Sequence, residues 1–344
     1  MPDQSQGEEL DSATASELLA SLGRMGLLAP GERPPLRPLT GGVSSLIVRA
    51  DTARGPVCVK RALPKLKVAA DWFAPVARNR AEVAWMREAA RSAPDAVPAV
   101  LAEDREADAF AMPFLDPVEY PVWKARLMAG RVEPGTAAAV ARVLAAIHAD
   151  TAARPALEGA FRNDADFRAL RLDPYLAATA EAHPDLAPAL QRLIETTART
   201  RLGLIHGDVS PKNILVGPRG PVLLDAECAT WGDPAFDLAF CLNHLLLKAA
   251  WRPADSGRYG ACFAALADGY LAGVGWEPPA ALERRAAALL PGLLLARVDG
   301  KSPVEYLTEE RDRARVRRAA RALLLEPPAD LRELRRRWEG DATT

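Results

Sequence analysis

The residues best suited to chemistry lie in one polar segment between two apolar runs. Residues 204–216 read Leu-Ile-His-Gly-Asp-Val-Ser-Pro-Lys-Asn-Ile-Leu-Val. Asn213 follows Asp208 by five positions, and Asp225 follows it by seventeen, at the end of another apolar run. Phosphoryl-transfer sites use this spacing: one carboxylate accepts a hydroxyl proton, while an amide and a second carboxylate hold Mg²⁺. The pattern therefore predicts Asp208 as the catalytic base and Asn213 and Asp225 as the Mg²⁺ ligands.

The alternative is a hairpin in which Asp208 and Asn213 only satisfy the backbone of a turn. The position of Asp225, together with a lysine far upstream, favours the chemical interpretation. His206 is expected to support the loop from behind. Whether Glu227 reaches a second metal ion or a water molecule is left open by the sequence.

Two neighbouring polar residues each have two possible roles. Lys212 stands immediately before Asn213, and it either faces solvent, which is favoured, or reaches the transferred phosphate. Asp237 opens a predicted helix, where its carboxylate either caps N–H groups or reaches the backbone of the loop that carries Asp208. Either way, Asp237 is predicted to support the loop and not to take part in the reaction.

The wording of these motifs resembles the aminoglycoside phosphotransferase-like small-molecule kinases, which are relatives of protein kinases. In that family His-Gly-Asp replaces His-Arg-Asp, and Asp-x-Glu, here Asp225-Ala226-Glu227, stands where protein kinases have Asp-Phe-Gly. The resemblance extends over roughly Leu39 to Leu246. It implies a protein-kinase-like two-lobed α+β fold, with a small N-terminal antiparallel sheet lobe and a larger, mainly helical C-terminal lobe. ATP and Mg²⁺ are the cofactors that it implies.

The expected nucleotide-binding residues begin upstream with a glycine pair. Gly41 and Gly42 precede the first clear strand signal, and glycine lets backbone N–H groups approach a phosphate closely. Ser44 could add a hydroxyl donor. In most proteins a Gly-Gly pair marks a plain hairpin turn, and here the lysine at the end of a following strand favours phosphate binding. Lys60 ends the run Val-Cys-Val-Lys and resembles the strand lysine that contacts the α and β phosphates in kinases.

The remaining nucleotide-binding candidates follow in the same lobe. The partner of the strand lysine is expected to be Glu82 on the helix of the small lobe, with Glu88 as the competing candidate. Met112 and Phe114 end the last strand signal of this lobe and resemble the segment between the lobes that meets the adenine. Core packing of both side chains is compatible with that role, because backbone groups make the contact.

The order of secondary-structure signals predicts three parts: a disordered N-terminus at 1–14, a nucleotide-binding lobe at 15–115, and a catalytic and substrate lobe at 116–344. A Pro-rich linker is expected at 34–38, before a hairpin with strands at 46–50 and 57–61. In the third part the sequence predicts one hairpin at 204–226 among long helices. These helices are expected at 136–151, 187–199, 237–249, 260–272, 279–290 and 309–325.

The acceptor is less well defined by the sequence. Residues 59–67 read Val-Lys-Arg-Ala-Leu-Pro-Lys-Leu-Lys, and this sequence is similar to that of methylthioribose kinase. The segment at 204–216 instead resembles generic members of the family. Lys and Arg slightly exceed Asp and Glu after residue 245, so a polycationic aminoglycoside is disfavoured. The expected acceptor is a small hydroxyl compound, sugar-like or otherwise not polycationic. Whether Arg297 and Lys301 line its pocket is left open, and the arginine run at 311–318 is expected to be a solvated helix face.

Composition excludes several other classes. The 344 residues carry a formal net charge of -1, so nothing points to nucleic acid. No apolar run approaches the roughly 20 residues needed to span a bilayer, and the polar N-terminus carries no signal-peptide pattern, so a cytoplasmic monomer or homodimer is expected. The four cysteines lack metal-site spacing. An aminoglycoside O-phosphotransferase and a nucleotide-binding pseudokinase scaffold are the alternative functions.

Overall fold

The computed structural model describes residues 10–39, 45–63 and 78–342. The chain divides into two compact units, Met1–Glu119 and Tyr120–Thr344. The smaller unit contains a five-stranded antiparallel sheet and the larger unit is mainly helical. The predicted fold class, a small antiparallel sheet followed by a larger helical part, is confirmed.

The described strands of the first unit form one sheet in the order β1-β2-β3-β5-β4, and every neighbouring pair is antiparallel. Two helices, α1 and α2, accompany the sheet. The bounds are α1 Ser12–Arg24, β1 Leu36–Pro38, β2 Ser45–Thr52, β3 Gly55–Ala62, α2 Arg78–Ser92, β4 Ala102–Asp104 and β5 Ala109–Pro113.

Two sequence predictions about this unit were wrong. Helix α1 begins at Ser12, inside the segment 1–14 that was expected to be disordered, because the Asp11 carboxylate accepts a hydrogen bond from the backbone N–H of Thr14 at 2.8 Å and caps the helix. Part of the predicted linker at 34–38 is strand β1, which pairs with β2 at the edge of the sheet. A proline is tolerated at the end of such an edge strand.

The core of the first unit lies between helix α1 and one face of the sheet. Leu18 and Leu22 of α1 pack with alternate residues of the strands, including Val48, Val59 and Ala111, and all five side chains are essentially buried. The period-2 alternation of the strands and the helical spacing of the leucines place these residues on facing surfaces.

The second unit contains ten described α-helices and two pairs of short strands. The segment between α5 and α6, Arg168–Ala177, is wound more widely as a π-type helix. Strand β6 pairs with β9, and β7 pairs with β8. The bounds are α3 Trp123–Met128, α4 Pro134–Ala152, α5 Asp164–Phe167, α6 Ala178–Ala182, α7 Ala187–Arg199, β6 Gly203–Ile205, β7 Ile214–Gly217, β8 Gly220–Leu223, β9 Thr230–Gly232, α8 Pro234–Trp251, α9 Ser256–Leu271, α10 Pro279–Asp299, α11 Glu310–Leu325 and α12 Leu331–Ala342.

Helix α8 lies at the centre of this unit. Its residues are buried all round from Pro234 to Ala250, which is typical of a helix enclosed by the core of a larger unit. Polar side chains on α8 are therefore buried and need partners inside the protein. Within the described residues, no helix is both long and apolar enough to cross a membrane.

Candidate active site

The loop that carries Asp208 is fixed to helix α8 through its backbone. The Asp237 carboxylate accepts hydrogen bonds from the backbone N–H groups of His206 at 2.7 Å and Gly207 at 2.8 Å. The cap of α8 is instead Asp233, which accepts from the N–H of Ala235 at 3.0 Å. Of the two roles considered for Asp237, the structure shows the contact with the loop.

His206 supports the same loop from within. Its Nδ1 accepts a hydrogen bond from the backbone N–H of Asp208 at 3.1 Å, and its Nε2 lies 3.0 Å from the carbonyl oxygen of Leu224. This arrangement requires the tautomer in which Nε2 carries the proton and donates it to the carbonyl. Burial lowers the pKa of His206, so the ring is neutral and serves as a bridge between the loop and the end of strand β8.

Only glycine fits at position 207. Gly207 has a φ of +78°, in the left-handed region that favours glycine. A Cβ atom there would stand 2.8 Å from the carbonyl oxygen of Cys228. The glycine of the His-Gly-Asp motif is therefore required for steric reasons.

The Asp208 carboxylate is held at one oxygen by three donors. Oδ2 lies 2.8 Å from the Arg171 guanidinium, 2.9 Å from the Asn213 amide nitrogen and 3.2 Å from the Lys212 ammonium. The other oxygen, Oδ1, accepts no hydrogen bond from any residue that the structure describes. The geometry thus leaves one oxygen for a bound molecule.

Charge keeps the carboxylate ionised. Burial by itself would raise the pKa of Asp208, but the positive charges of Arg171 and then Lys212 outweigh it and hold the pKa below its ordinary value. Lys212 is half-exposed, so its charge is partly screened, whereas Arg171 is buried. The exposure of Lys212 agrees with the favoured expectation that it faces solvent, and its ammonium in addition pairs with Asp208.

Arg171 is the main site residue that sequence reasoning missed. It lies in the π-type stretch, where its Nε donates to the carbonyl oxygen of Gly207 at 2.7 Å and its Nη1 donates to that of Leu170 at 2.7 Å. Its third nitrogen pairs with Asp208. No motif surrounds Arg171, which stands 37 positions before Asp208, so the sequence offers no signal for it.

Asn213 and Asp225 have the donor chemistry of a site for a hard cation. The Asn213 amide nitrogen donates to the backbone and the carboxylate of Asp208 at 3.0 and 2.9 Å, so its Oδ1 is the atom suited to a metal. Asp225 follows strand β8 with a φ of +68°, a conformation that Asp tolerates but rarely adopts. Mg²⁺ commonly uses one or two protein oxygens together with substrate phosphates, so these residues fit that ion.

No group of three or more His, Cys, Asp or Glu side chains is arranged to hold a metal in the described part of the chain. Glu227 is buried, and its charge acts on Arg171 and Cys228.

In the first unit, Lys60 and Glu82 form a buried ion pair. The ammonium of Lys60 on β3 lies 2.6 Å from the Glu82 carboxylate on α2, and each side chain is only 3% exposed. Glu88, the competing candidate, lies 3.9 Å from Arg91 on the same helix. The structure therefore pairs Lys60 with Glu82.

Met112 and Phe114 occupy the end of the sheet in the same unit. Met112 on β5 pairs with Cys58 of β3 and is buried, while the Arg49 guanidinium lies 4.4 Å from the centre of the Phe114 ring. The predicted phosphate-binding residues Gly41, Gly42 and Ser44 lie outside the described residues.

The basic residues near the C-terminus have different surroundings. Arg317 of the 311–318 run is bound by Asp299 and Glu310. Lys301 is exposed. Arg297 is different, because its guanidinium points to Tyr175, whose hydroxyl oxygen is 3.3 Å away.

Comparison with known proteins gives a family match for most of the chain. The family model described as "Phosphotransferase enzyme family" matches residues 35–283. This range includes every candidate residue from Gly41 to Glu227. The comparison with curated proteins gives no match.

Solved structures of similar fold cover almost the whole chain. A choline/ethanolamine kinase family protein from Mesorhizobium loti is 15% identical, with a TM-score of 0.52, and the alignment covers 95% of this chain and 99% of that protein. An ethanolamine kinase from Plasmodium vivax is 11% identical, with a TM-score of 0.55 and coverages of 99% and 90%. An amicoumacin kinase in complex with AMP-PNP, Ca²⁺ and Ami is 12% identical, with a TM-score of 0.56 and coverages of 94% and 96%. At these identities the similarity shows the fold alone.

Proposed function

The chain belongs to the phosphotransferase enzyme family, and we propose that it transfers the γ-phosphate of ATP to a hydroxyl group of a small molecule, with Mg²⁺ as the metal cofactor. The observation that carries this proposal is the Asp208 carboxylate, which is held at Oδ2 by three donors. An ionised carboxylate with one oxygen left for a hydroxyl has the form that a catalytic base requires.

Asp208 acts by orienting the acceptor hydroxyl and accepting its proton. The transition state of phosphoryl transfer is loose, so positioning and charge neutralisation contribute more than the strength of the base. A lowered pKa is therefore no obstacle, because the carboxylate takes the proton late. The bonds from Arg171, Asn213 and Lys212 keep the carboxylate in one orientation throughout.

The other proposed roles follow from donor chemistry. Asn213 and Asp225 would hold Mg²⁺, which when bound neutralises charge on the phosphates. Lys60, kept in place by Glu82 at 2.6 Å, would contact the α and β phosphates. Gly41, Gly42 and Ser44 are proposed to approach the phosphates, and the segment of Met112 and Phe114 to meet the adenine.

We propose an acceptor that is sugar-like or otherwise not polycationic. Two cationic side chains contact the Asp208 carboxylate, Arg171 at 2.8 Å and Lys212 at 3.2 Å. A polycation would be repelled there, since like charges at about 4 Å cost on the order of 1 kcal/mol even in water-like surroundings.

The test is an ADP-release assay of the full chain with ATP, Mg²⁺ and a panel of sugars, thioribose, amino alcohols and aminoglycosides. Acceptor-dependent ADP release by the wild type and none by Asp208→Asn is the expected result. ATP binding without transfer to any acceptor in a broad panel would favour a pseudokinase scaffold. Transfer to kanamycin-type compounds with inert sugars would favour an aminoglycoside phosphotransferase.

A further inference from the structure

A group of basic side chains lies inside the second unit, beyond the catalytic loop. Lys248 of α8 is 1% exposed, and it forms no ion pair with any carboxylate in the described part of the chain. In the described part of the chain its ammonium contacts the Tyr306 ring, 4.6 Å away at the centroid, and the Tyr306 hydroxyl at a long 3.5 Å. A buried ammonium with so little compensation is costly to the fold.

Arg297 adds a second under-compensated cation. Its Nη1 contacts Tyr175 and both oxygens of Ser302, but its buried Nε has no hydrogen-bond partner. No described carboxylate pairs with this guanidinium. A buried donor of a charged group normally has a partner, so Nε lacks the acceptor that a ligand could supply.

His244 connects these cations to the catalytic loop. Burial, followed by the positive charges of Arg297, Lys248, Lys212 and Lys124, lowers the pKa of His244 well below its ordinary value. His244 lies one helical turn before Lys248 on α8. The Phe240 ring lies 5.7 Å from His244 and 5.5 Å from Tyr175 between ring centres, and Tyr175 is the residue that Arg297 contacts. Lys212 is the same residue whose ammonium lies 3.2 Å from Asp208, so the basic group adjoins the proposed catalytic base.

Among the described residues, one carboxylate acts on Lys248. Lys124 of α3 pairs with Glu305, and Glu305 is the carboxylate whose charge acts on Lys248. The other groups that act on Lys248 are Lys124, Arg297 and Cys241, and burial raises the pKa of that thiol, so it stays neutral. Glu305 is thus the one carboxylate among these groups, and it is exposed and paired with Lys124.

We propose that Lys248 and Arg297 bind an anionic group, a carboxylate or a phosphate, of the acceptor whose hydroxyl faces Asp208. This inference rests on the proposed function and names its substrate class as anionic hydroxyl compounds. An anion supplies the acceptors that the two side chains lack, and charge-assisted bonds to carboxylate or phosphate are the strong kind. His244 and Tyr306 would border the group.

The protonation state of Lys248 should change when such an anion binds. Burial lowers its pKa to about 7, so the lysine loses its charge as the pH rises through neutrality. A bound anion favours the charged form. Anion binding should therefore be strongest below pH 7 and weaken above it, since His244 stays neutral over this range.

The first test measures sulfate binding by calorimetry to the full chain in the presence of Mg²⁺ and ADP, at several pH values from 6 to 8. Sulfate keeps its charge over this range, so a pH dependence reports the protein. Lys248→Met preserves the length of the side chain and removes a buried charge, which favours a folded variant. It should weaken sulfate binding about tenfold or more, the equivalent of one charge-assisted hydrogen bond, and abolish the pH dependence.

The matched control is Arg192→Met on α7, which removes an exposed charge. Its sulfate affinity should stay within about twofold of the wild type, because solvent and salt screen an exposed charge. Equal sulfate affinity for Lys248→Met and the wild type, or no sulfate binding by the wild type, would overturn the proposal.

The second test compares acceptors on one sugar skeleton: glucuronate, glucose 1-phosphate, glucose and glucosamine. ADP release should be faster with one of the two anions than with glucose, and slowest with glucosamine, and Lys248→Met should lower kcat/KM only for the anions. The two anionic compounds distinguish a carboxylate from a phosphate site. Preference for glucose or glucosamine would refute the anion site and leave the proposed function intact. Absence of both ATP binding and transfer would refute the proposed function, and sulfate binding would then decide the anion site alone.

Discussion

Replacing Arg171 with methionine removes the buried counterion of Asp208. The guanidinium lies 2.8 Å from Oδ2 of the carboxylate and also donates to the carbonyl oxygen of Gly207 at 2.7 Å. Both side chains are buried, with 9% and 3% of their surfaces exposed. Lys212 is then the one remaining charged partner of Asp208 among the described residues, and it is half-exposed.

The expected loss of stability follows from this burial. Removing one partner of a buried ion pair costs about 3–5 kcal/mol, because the other charge stays buried without compensation. Lys212 and Asn213 retain part of the stabilisation, so the lower end of that range is expected. The matched control is Arg168→Met on the same π-type stretch, where the exposed pair with Asp173 at 3.2 Å should contribute about 1 kcal/mol or less.

The change in stability on replacing Arg171 should also depend on pH, which provides a second, independent test. Because the folded-state pKa of Asp208 is lowered, its stabilising contribution is present above the unfolded pKa of about 3.9 and is lost as the pH falls through the folded pKa. The stability difference between the wild type and Arg171→Met should thus be largest near neutrality and shrink below about pH 4. The acid limb of the kcat profile should move to higher pH in the variant.

Urea unfolding of the wild type, Arg171→Met and Arg168→Met across pH, with kcat and ATP affinity at each pH, checks these expectations. A displaced carboxylate should lower kcat about 100-fold while ATP affinity stays unchanged. Arg171→Lys retains the charge and should recover most of the stability, which keeps the test valid if the methionine variant does not fold. A stability loss equal to that of Arg168→Met at every pH would refute the reasoning.

Three further outcomes are expected. Asp208→Asn should lower kcat about 10²- to 10⁴-fold with little change in ATP affinity by calorimetry, and a collapse of ATP affinity would assign the residue to the fold or the metal instead. ATP should raise the melting temperature only when Mg²⁺ is present, and Asp225→Asn should abolish that rise; a rise without metal would remove Asp225 from its role. Glu82→Gln should weaken ATP binding about tenfold, the equivalent of one charge-assisted hydrogen bond, whereas Glu88→Gln should match the wild type, and equal effects of the two changes would contradict the pairing of Lys60 with Glu82.

Local sequence patterns predicted the elements that local chemistry determines. The helix predicted at 187–199 has these bounds in α7. Asp208 and Asn213 are proposed from spacing within one short motif, whereas the partner of Lys60 was expected from the family resemblance, with Glu88 as the competing candidate, and the structure shows Glu82 in that position. The miss at β1 has a physical reason: a three-residue strand that ends in Pro38 carries too little alternation to be distinguished from a linker, and its partner β2 decides its conformation.

The roles of Arg171 and Lys248 could not be predicted from the sequence, for a different physical reason. Arg171 contacts Asp208 from a π-type stretch with no regular period. Lys248 contacts Tyr306 from an α8 sequence that is typical of a buried helix. Their roles depend on which side chains meet them from distant parts of the chain. Spacing along the sequence does not predict such tertiary contacts.

The supports of Asp208 act on different parts of the residue. Asp237 fixes the backbone before it through two N–H groups, His206 accepts the N–H of Asp208 itself, and Arg171 neutralises its carboxylate. A change at Asp237 should therefore move the loop and affect every group on it, whereas a change at Arg171 should alter charge and side-chain orientation first. The sequence motif contains only His206 and Asp208 among these four, so the identity of the proposed base is local, while its geometry and charge are properties of the folded unit.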